Sequence, residues 1–185
     1  MEYIISVRRK EVNSDEFFFQ SFIYESLSPA ETVASVLTAL NKKSSLFDIN
    51  GNEARKIEWE SSCLQKKCGA CAMIINGRPR LACDATLSEF KKNITLEPLK
   101  KFPCVCDLVV DRSIMYENLQ TMKIWLKSEP EMSQYYRELA YESSECIQCG
   151  CCLEVCPNFY SGGSFFGMAA VPLTMRLISE QKKKE

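Results

Sequence analysis

The 185-residue chain contains no histidine. That absence excludes a mixed Cys/His zinc finger, a Rieske centre, a histidine-based triad and a histidine-ligated haem within these residues. Any metal ligand must be a thiolate, a carboxylate, a backbone group or an exogenous molecule. Excess charge of either sign is lacking too: 23 basic residues against 24 acidic ones leave a formal net charge of −1. This balance gives no electrostatic basis for binding nucleic acid or an anionic membrane surface. The short Lys182-Lys183-Lys184 run reads as a solvated tail. Long hydrophobic runs are missing as well. The longest near the C-terminus, Phe165 to Met175, is interrupted by glycine and proline and is too short to span a bilayer. The opening MEYIISVRRK puts an acid before its apolar run and bases after it, the reverse of a secretory signal. These absences lead to the expectation of a soluble chain in a reducing compartment. There, clustered cysteines bind metal more often than they pair as disulfides.

Cysteine is abundant instead, with 11 copies. The rest of the composition, 46% hydrophobic and 25% charged, is that of an ordinary folded protein of one large or two small domains. YIISV (3–7) and FFFQSFIYE (17–25) read as a strand hairpin around a polar loop. Ser28-Pro29-Ala30-Glu31 has capping-box spacing with proline at the first helical position, and Val33, Val36, Leu37 and Leu40 then mark one apolar helix face. AMII, Asn76-Gly77 and RPRLA read as strand, type I′ turn and strand, and NITLEPL (93–99) as a further strand. Residues 1 to 100 thus predict a small mixed sheet with a helix across it. Beyond DLVVD (107–111), Met115, Leu119, Met122 and Leu126 repeat with helical period until Ser128-Glu129-Pro130. A segment from Tyr135 to Glu145 and a last one from Met168 to Ser179, with Pro172 near its start, also read as helices.

Cys63, Cys68, Cys71 and Cys83 are spaced C-x4-C-x2-C with eleven residues before the fourth. This opening is the plant-type 2Fe–2S spacing: a loop with three thiolates wraps the two-iron rhomb, and a hairpin returns the fourth. Gly69 and Ala70 are small enough to leave room for backbone N–H groups around the sulfurs. The competing reading is a four-cysteine zinc site, which ordinarily opens and closes on C-x2-C pairs. In the second group Cys146, Cys149, Cys152 and Cys156-Pro157 form the bacterial ferredoxin run. Its first three thiolates serve one cube and its fourth the other cluster of a pair. Cys151 falls outside that spacing and reads as a packing residue facing away from the ligands. Cys104 and Cys106 lack partners in sequence and read as thiols on one side of an extended segment.

A plant-type segment ending LAC, then PL-x3-P, DLVVD, a helical stretch and CIQCGCCLEVCP, resembles the iron–sulfur subunit of succinate dehydrogenase and fumarate reductase. The resemblance extends from the first hairpin to Phe165-Phe166-Gly167-Met168-Ala169-Ala170, which is similar to that family's FIGPAA segment. It implies an α+β chain: a β-grasp 2Fe–2S ferredoxin-like domain over 1–105, then a mostly α-helical, bacterial-ferredoxin-type domain over 106–185. Carried over by position, Cys63, Cys68, Cys71 and Cys83 hold a 2Fe–2S cluster. Cys146, Cys149 and Cys152 hold a 4Fe–4S cluster, and Cys156 serves a 3Fe–4S or second cluster. In the family a further cysteine-rich segment completes the second and third centres. The chain stops at Glu185 without one, so the helical domain is expected to be incomplete, the chain truncated and the fourth 4Fe–4S ligand absent from it. Two departures, Leu64 for the family's arginine and Lys66 for its loop glycine, would alter hydrogen bonding around the sulfurs.

The implied function is electron relay between a flavin-adenine-dinucleotide (FAD) flavoprotein that interconverts succinate and fumarate and a quinone or other carrier. A membrane-anchor or quinone-reactive subunit would hold the chain at the inner, cytoplasmic face of the cell membrane. Two other readings stand beside it. One is an iron–sulfur subunit of a thiol-linked fumarate reductase or heterodisulfide-reductase-like complex, or a free-standing ferredoxin-like carrier. The other is a structural zinc protein with no redox role.

Overall fold

The computed structural model describes residues 1–130, 134 and 137–180. Strand β1 (Glu2–Lys10) alternates in burial, with Tyr3, Ile5, Val7 and Arg9 facing inward. It pairs antiparallel with β2 (Phe17–Glu25), in a register that sets the Ser6 and Ser21 hydroxyls 2.9 Å apart. On its other side β1 runs parallel to β7 (Asn93–Glu97), which pairs antiparallel with β5 (Ala72–Ile75). β5 turns through Asn76 (φ 47°) and Gly77 (φ 79°) into β6 (Arg78–Leu81), the two positive φ values a type I′ hairpin demands. The sheet order is β2-β1-β7-β5-β6. A hairpin of β3 (Leu46–Phe47) and β4 (Glu53–Ala54), unforeseen from the sequence, follows the first helix. Its turn is fastened by Asp48, whose carboxylate accepts the Asn50 and Asn52 N–H groups at 2.9 and 3.0 Å.

Helix α1 (Val33–Lys42) buries Val33, Val36, Leu37 and Leu40 against the sheet, as its periodicity predicts. Its start differs from expectation. The capping box is Thr32 with Ser35, not Ser28 with Glu31. Glu31 is engaged elsewhere, accepting from the Tyr24 hydroxyl at 2.8 Å and the Leu27 N–H at 3.3 Å. The Val33 and Ala34 N–H groups bond the Ala85 and Ala82 carbonyls, which flank Cys83, at 2.9 and 3.0 Å. The helix therefore begins where the hairpin can satisfy its first donors.

β5 is buried on both faces. Met73 and Ile75 join the core between sheet and α1, along with Cys71 and Cys83. Ala72 and Ile74 join a second core with Leu99, Phe102, Met115, Leu153 and Phe159. A short hairpin of β8 (Cys104–Cys106) and β9 (Val109–Val110) joins the two regions. At its turn Asp107, fully buried with φ 41°, lies 2.9 Å from Arg9 Nε. The Asp107 carboxylate also accepts two Arg55 N–H groups (2.8 and 2.7 Å) and the Lys10 and Glu58 backbone N–H groups (3.1 and 3.0 Å).

The remainder is helical. α2 (Ser113–Thr121) stops short of Leu126, which the periodicity had included. Lys123 adopts φ 56°, its N–H bonds the Gln120 carbonyl and the Ile124 N–H bonds that of Leu119, a Schellman termination. That local ending precedes Pro130 and leaves Leu126 exposed. α3 (Arg137–Ser144) lies within the helix expected from Tyr135, whose start is outside the described residues, as is the lysine run at 182–184. α4 (Cys151–Val155) sits inside the second cysteine run, and α5 (Ala170–Glu180) carries Pro172 in its first turn, as predicted. Among the described residues no helix is long and apolar enough to cross a membrane.

Candidate metal centres

The first cysteine loop leaves the α1–sheet core at Ile57 and returns to it at Cys71. Leu64 and Lys66 both have positive φ, 54° and 62°, so the chain coils tightly after Cys63. This coil turns the Gln65 and Lys67 N–H groups onto the Cys63 sulfur, each at 3.3 Å. Such converging N–H groups form a nest that favours a thiolate. Those bonds, with help from the Cys68 thiol, draw the Cys63 thiol down to about 7 from its ordinary 9.0. The donors at this sulfur thus come from Gln65 and Lys67 rather than from the glycine–alanine pair. Lys66 is tied by an ion pair to Asp84, the neighbour of Cys83.

Cys71 immediately precedes β5 and Cys83 follows β6, and the hairpin sets their sulfurs 3.3 Å apart. Both are buried, and burial pushes Cys71 up to about 11. Cys68 is exposed at the loop's outer edge. The Cys71 and Cys83 sulfurs therefore form one close pair, with Cys63 and Cys68 on the loop ahead of them. A two-iron rhomb takes two thiolates at each iron, and a close pair such as Cys71 and Cys83 suits one of them. The donor set fits the two-iron group.

The second run approaches the first at Gly69. This residue has φ +75°, and a Cβ on it would lie 2.8 Å from the Cys149 Cα and 2.8 Å from the Ile147 carbonyl oxygen. Its lack of a side chain is what lets the two cysteine segments touch. Gln148, itself at φ 52°, donates from its amide to the Cys146 sulfur at 3.2 Å and to the Ala169 carbonyl at 2.9 Å. Cys149 and Cys156 are half-buried beside the second core, and Cys152 is exposed at the start of α4. Cys151 packs against that core, but it does not face away from the ligands as the spacing implies, since its thiol acts on that of Cys149. The Cys151 thiol draws Cys149 down to about 6, while Cys149 and burial push Cys151 up. Cys104 and Cys106 stand apart in the β8–β9 hairpin, both pushed up by burial.

Two polar residues, Asp107 at the head of the DLVVD stretch and Arg112 just beyond it, tie this junction together. Asp107 locks the hairpin onto β1, as described above. Arg112 donates to the Gly69 and Ala70 carbonyls at 3.0 and 2.7 Å and pairs with Glu60. A cavity of about 370 Å³ opens between the loops beside it, lined by Cys68, Ala70, Arg112, Ile147 and Gln148.

The family model described as the 2Fe-2S iron-sulfur cluster binding domain matches residues 4–117. The chain is 41% identical over 130 residues to the succinate dehydrogenase iron-sulfur subunit of Bacillus subtilis (strain 168), covering 66% of this chain and 51% of that one. It is 31% identical over 163 residues to the fumarate reductase iron-sulfur subunit of Haemophilus influenzae, covering 74% and 62%. The chain thus spans roughly half to three fifths of these curated relatives. Among solved structures it is similar to a chain of the Mycobacterium smegmatis Sdh1 complex in the apo form. The TM-score is 0.72 at 26% identity, covering 95% of this chain and 75% of that one.

Proposed function

The chain belongs to the 2Fe-2S iron-sulfur cluster binding domain family, and from that premise we propose that it relays electrons as the iron–sulfur subunit of a succinate dehydrogenase or fumarate reductase complex. Cys63, Cys68, Cys71 and Cys83 are the ligands of its 2Fe–2S centre. The observation that carries the reading is the hairpin that sets the Cys71 and Cys83 sulfurs 3.3 Å apart beside the loop of Cys63 and Cys68. Cys146, Cys149 and Cys152 serve a 4Fe–4S centre, and Cys156 serves a 3Fe–4S or second cluster. When bound, these groups supply one-electron redox chemistry, which protein side chains do not.

The chain's own part is to hold, orient and shield. The Gln65 and Lys67 N–H groups stabilise negative charge on the Cys63 sulfur, and the Gln148 amide does so at Cys146. Burial of Cys71 and Cys83 keeps water from one side of the first site, while exposed Cys68 leaves the other side open to a redox partner. In this reading residues 1–105 form the ferredoxin-like domain and residues 106–185 a bacterial-ferredoxin-type one. The partners are an FAD flavoprotein that interconverts succinate and fumarate and a membrane-anchor or quinone-reactive subunit. They would place the chain at the inner face of the cell membrane.

Anaerobic purification with iron, acid-labile sulfide and electron paramagnetic resonance (EPR) measurements tests the cluster assignment. The expected protein is brown, contains labile sulfide and shows a 2Fe–2S signal on reduction. A colourless, zinc-containing protein without sulfide refutes the reading. Co-purification of a flavoprotein that turns over succinate is the expected result for the partner.

A further inference from the structure

Arg112 stands at the junction of the two cysteine loops without belonging to either. Its Nη1 donates to the Gly69 carbonyl at 3.0 Å and its Nη2 to that of Ala70 at 2.7 Å. Gly69 and Ala70 are the two residues between Cys68 and Cys71. The guanidinium thus clasps the first loop along the stretch that presses on Cys149. Its side chain is only 14% exposed and lines the cavity shared by Cys68, Ile147 and Gln148. Glu60, 43% exposed, pairs with it from the solvent side.

We propose that Arg112 is a positioning residue that fixes the first cysteine loop against the second and holds a positive charge between them, making the 2Fe–2S centre easier to reduce. The proposal rests on the iron–sulfur reading above. Two carbonyls side by side suit the planar fork of arginine, which a lysine ammonium cannot reproduce. A cation held in a shielded place stabilises whichever state of its neighbour is more negative, here the reduced one. Cluster potentials respond to local charge and hydrogen bonding. Glu60 acts in the opposite sense, because it neutralises part of that charge.

The full chain, purified anaerobically, is titrated electrochemically while the first centre is followed by EPR. Arg112→Gln removes the charge and should shift the reduction equilibrium toward the oxidised form by about three- to tenfold, tenfold being about 59 mV for one electron. Glu60→Gln removes the counter-charge and should shift it the other way. Arg112→Lys keeps the charge but loses the fork, and should stay within about twofold of the parent. Opposite shifts in the two glutamine variants support the proposal, since a purely structural role gives them no reason to differ in sign. Shifts of the same sign, or none in either, overturn it while leaving the iron–sulfur reading intact. If Arg112→Gln assembles no centre, the sign of the Glu60→Gln shift decides. A parent chain with no 2Fe–2S signal overturns both.

Discussion

Arg9 and Asp107 meet at 2.9 Å with neither side chain exposed to solvent. The Arg9 Nε lacks the alignment of a hydrogen bond. Its Nη groups donate instead to Gln20 at 3.1 Å and to the Arg55 and Lys56 carbonyls at 3.2 and 2.9 Å. Burial pulls the Arg9 guanidinium below its ordinary value, and the carboxylate opposes that pull. Removing one member of such a pair leaves an uncompensated buried charge. Asp107→Ala is expected to cost about 3–5 kcal/mol, read as a lowered midpoint in urea unfolding. An unchanged midpoint would contradict the role given to Asp107.

Gly69 and Gly77 offer a matched comparison. Both have positive φ, 75° and 79°, but a Cβ at Gly77 meets nothing within 4 Å, whereas at Gly69 it strikes backbone atoms of the second run. Gly77→Ala should cost only backbone strain, on the order of 1 kcal/mol. Gly69→Ala should cost more and also disturb the EPR signals of both centres, because the loops must separate. Equal effects in the two variants would remove the contact as an explanation.

The cysteines divide by role. Cys83→Ser is expected to abolish the visible absorption of the first centre. Cys106→Ser, in the β8–β9 hairpin, should leave that absorption and the iron content unchanged. Loss of iron in the second variant would bring the hairpin thiol into the ligand set.

Glu89 provides a pH-dependent contact. Its carboxylate is held down to about 2 from 4.5, chiefly by Arg80 at 2.7 Å and then by Thr86. A depressed carboxylate stabilises the fold above its unfolded value near 4.5, and that contribution fades as pH falls toward 2. A carbon-detected NMR titration should show Glu89 still ionised at pH 3.5, a value between its two limits. In Arg80→Gln its midpoint should rise toward the ordinary range, and a midpoint unmoved in that variant would assign the shift elsewhere.

Patterns confined to a short stretch could be read before any fold was known. The Phe17–Glu25 strand, the Asn76-Gly77 turn and the apolar face of α1 each depend on neighbours a few residues away. The helix start could not be read that way, since SPAE and TVAS both carry capping residues at compatible spacing. Tertiary partners chose between them: Tyr24 takes Glu31, while Ala82 and Ala85 accept from the first two N–H groups of the helix that Thr32 caps. At the site, the two cysteine groups announce themselves by spacing. Arg112 does not, because its carbonyl partners are 42 and 43 residues away and nothing local marks it. The apolar run AMII signals a buried strand, but not that Ala72 and Ile74 face a different core from Met73 and Ile75.

That last strand has a thermal consequence. Melting either core exposes one face of β5, and the hydrogen bonds that hold β5 between β7 and β6 are the same for both. The cores have no boundary across which one could lose order while the other keeps its own enthalpy. Heating should therefore melt both cores together, giving one calorimetric peak where independent cores would give two. Heat cannot empty one core and spare the other.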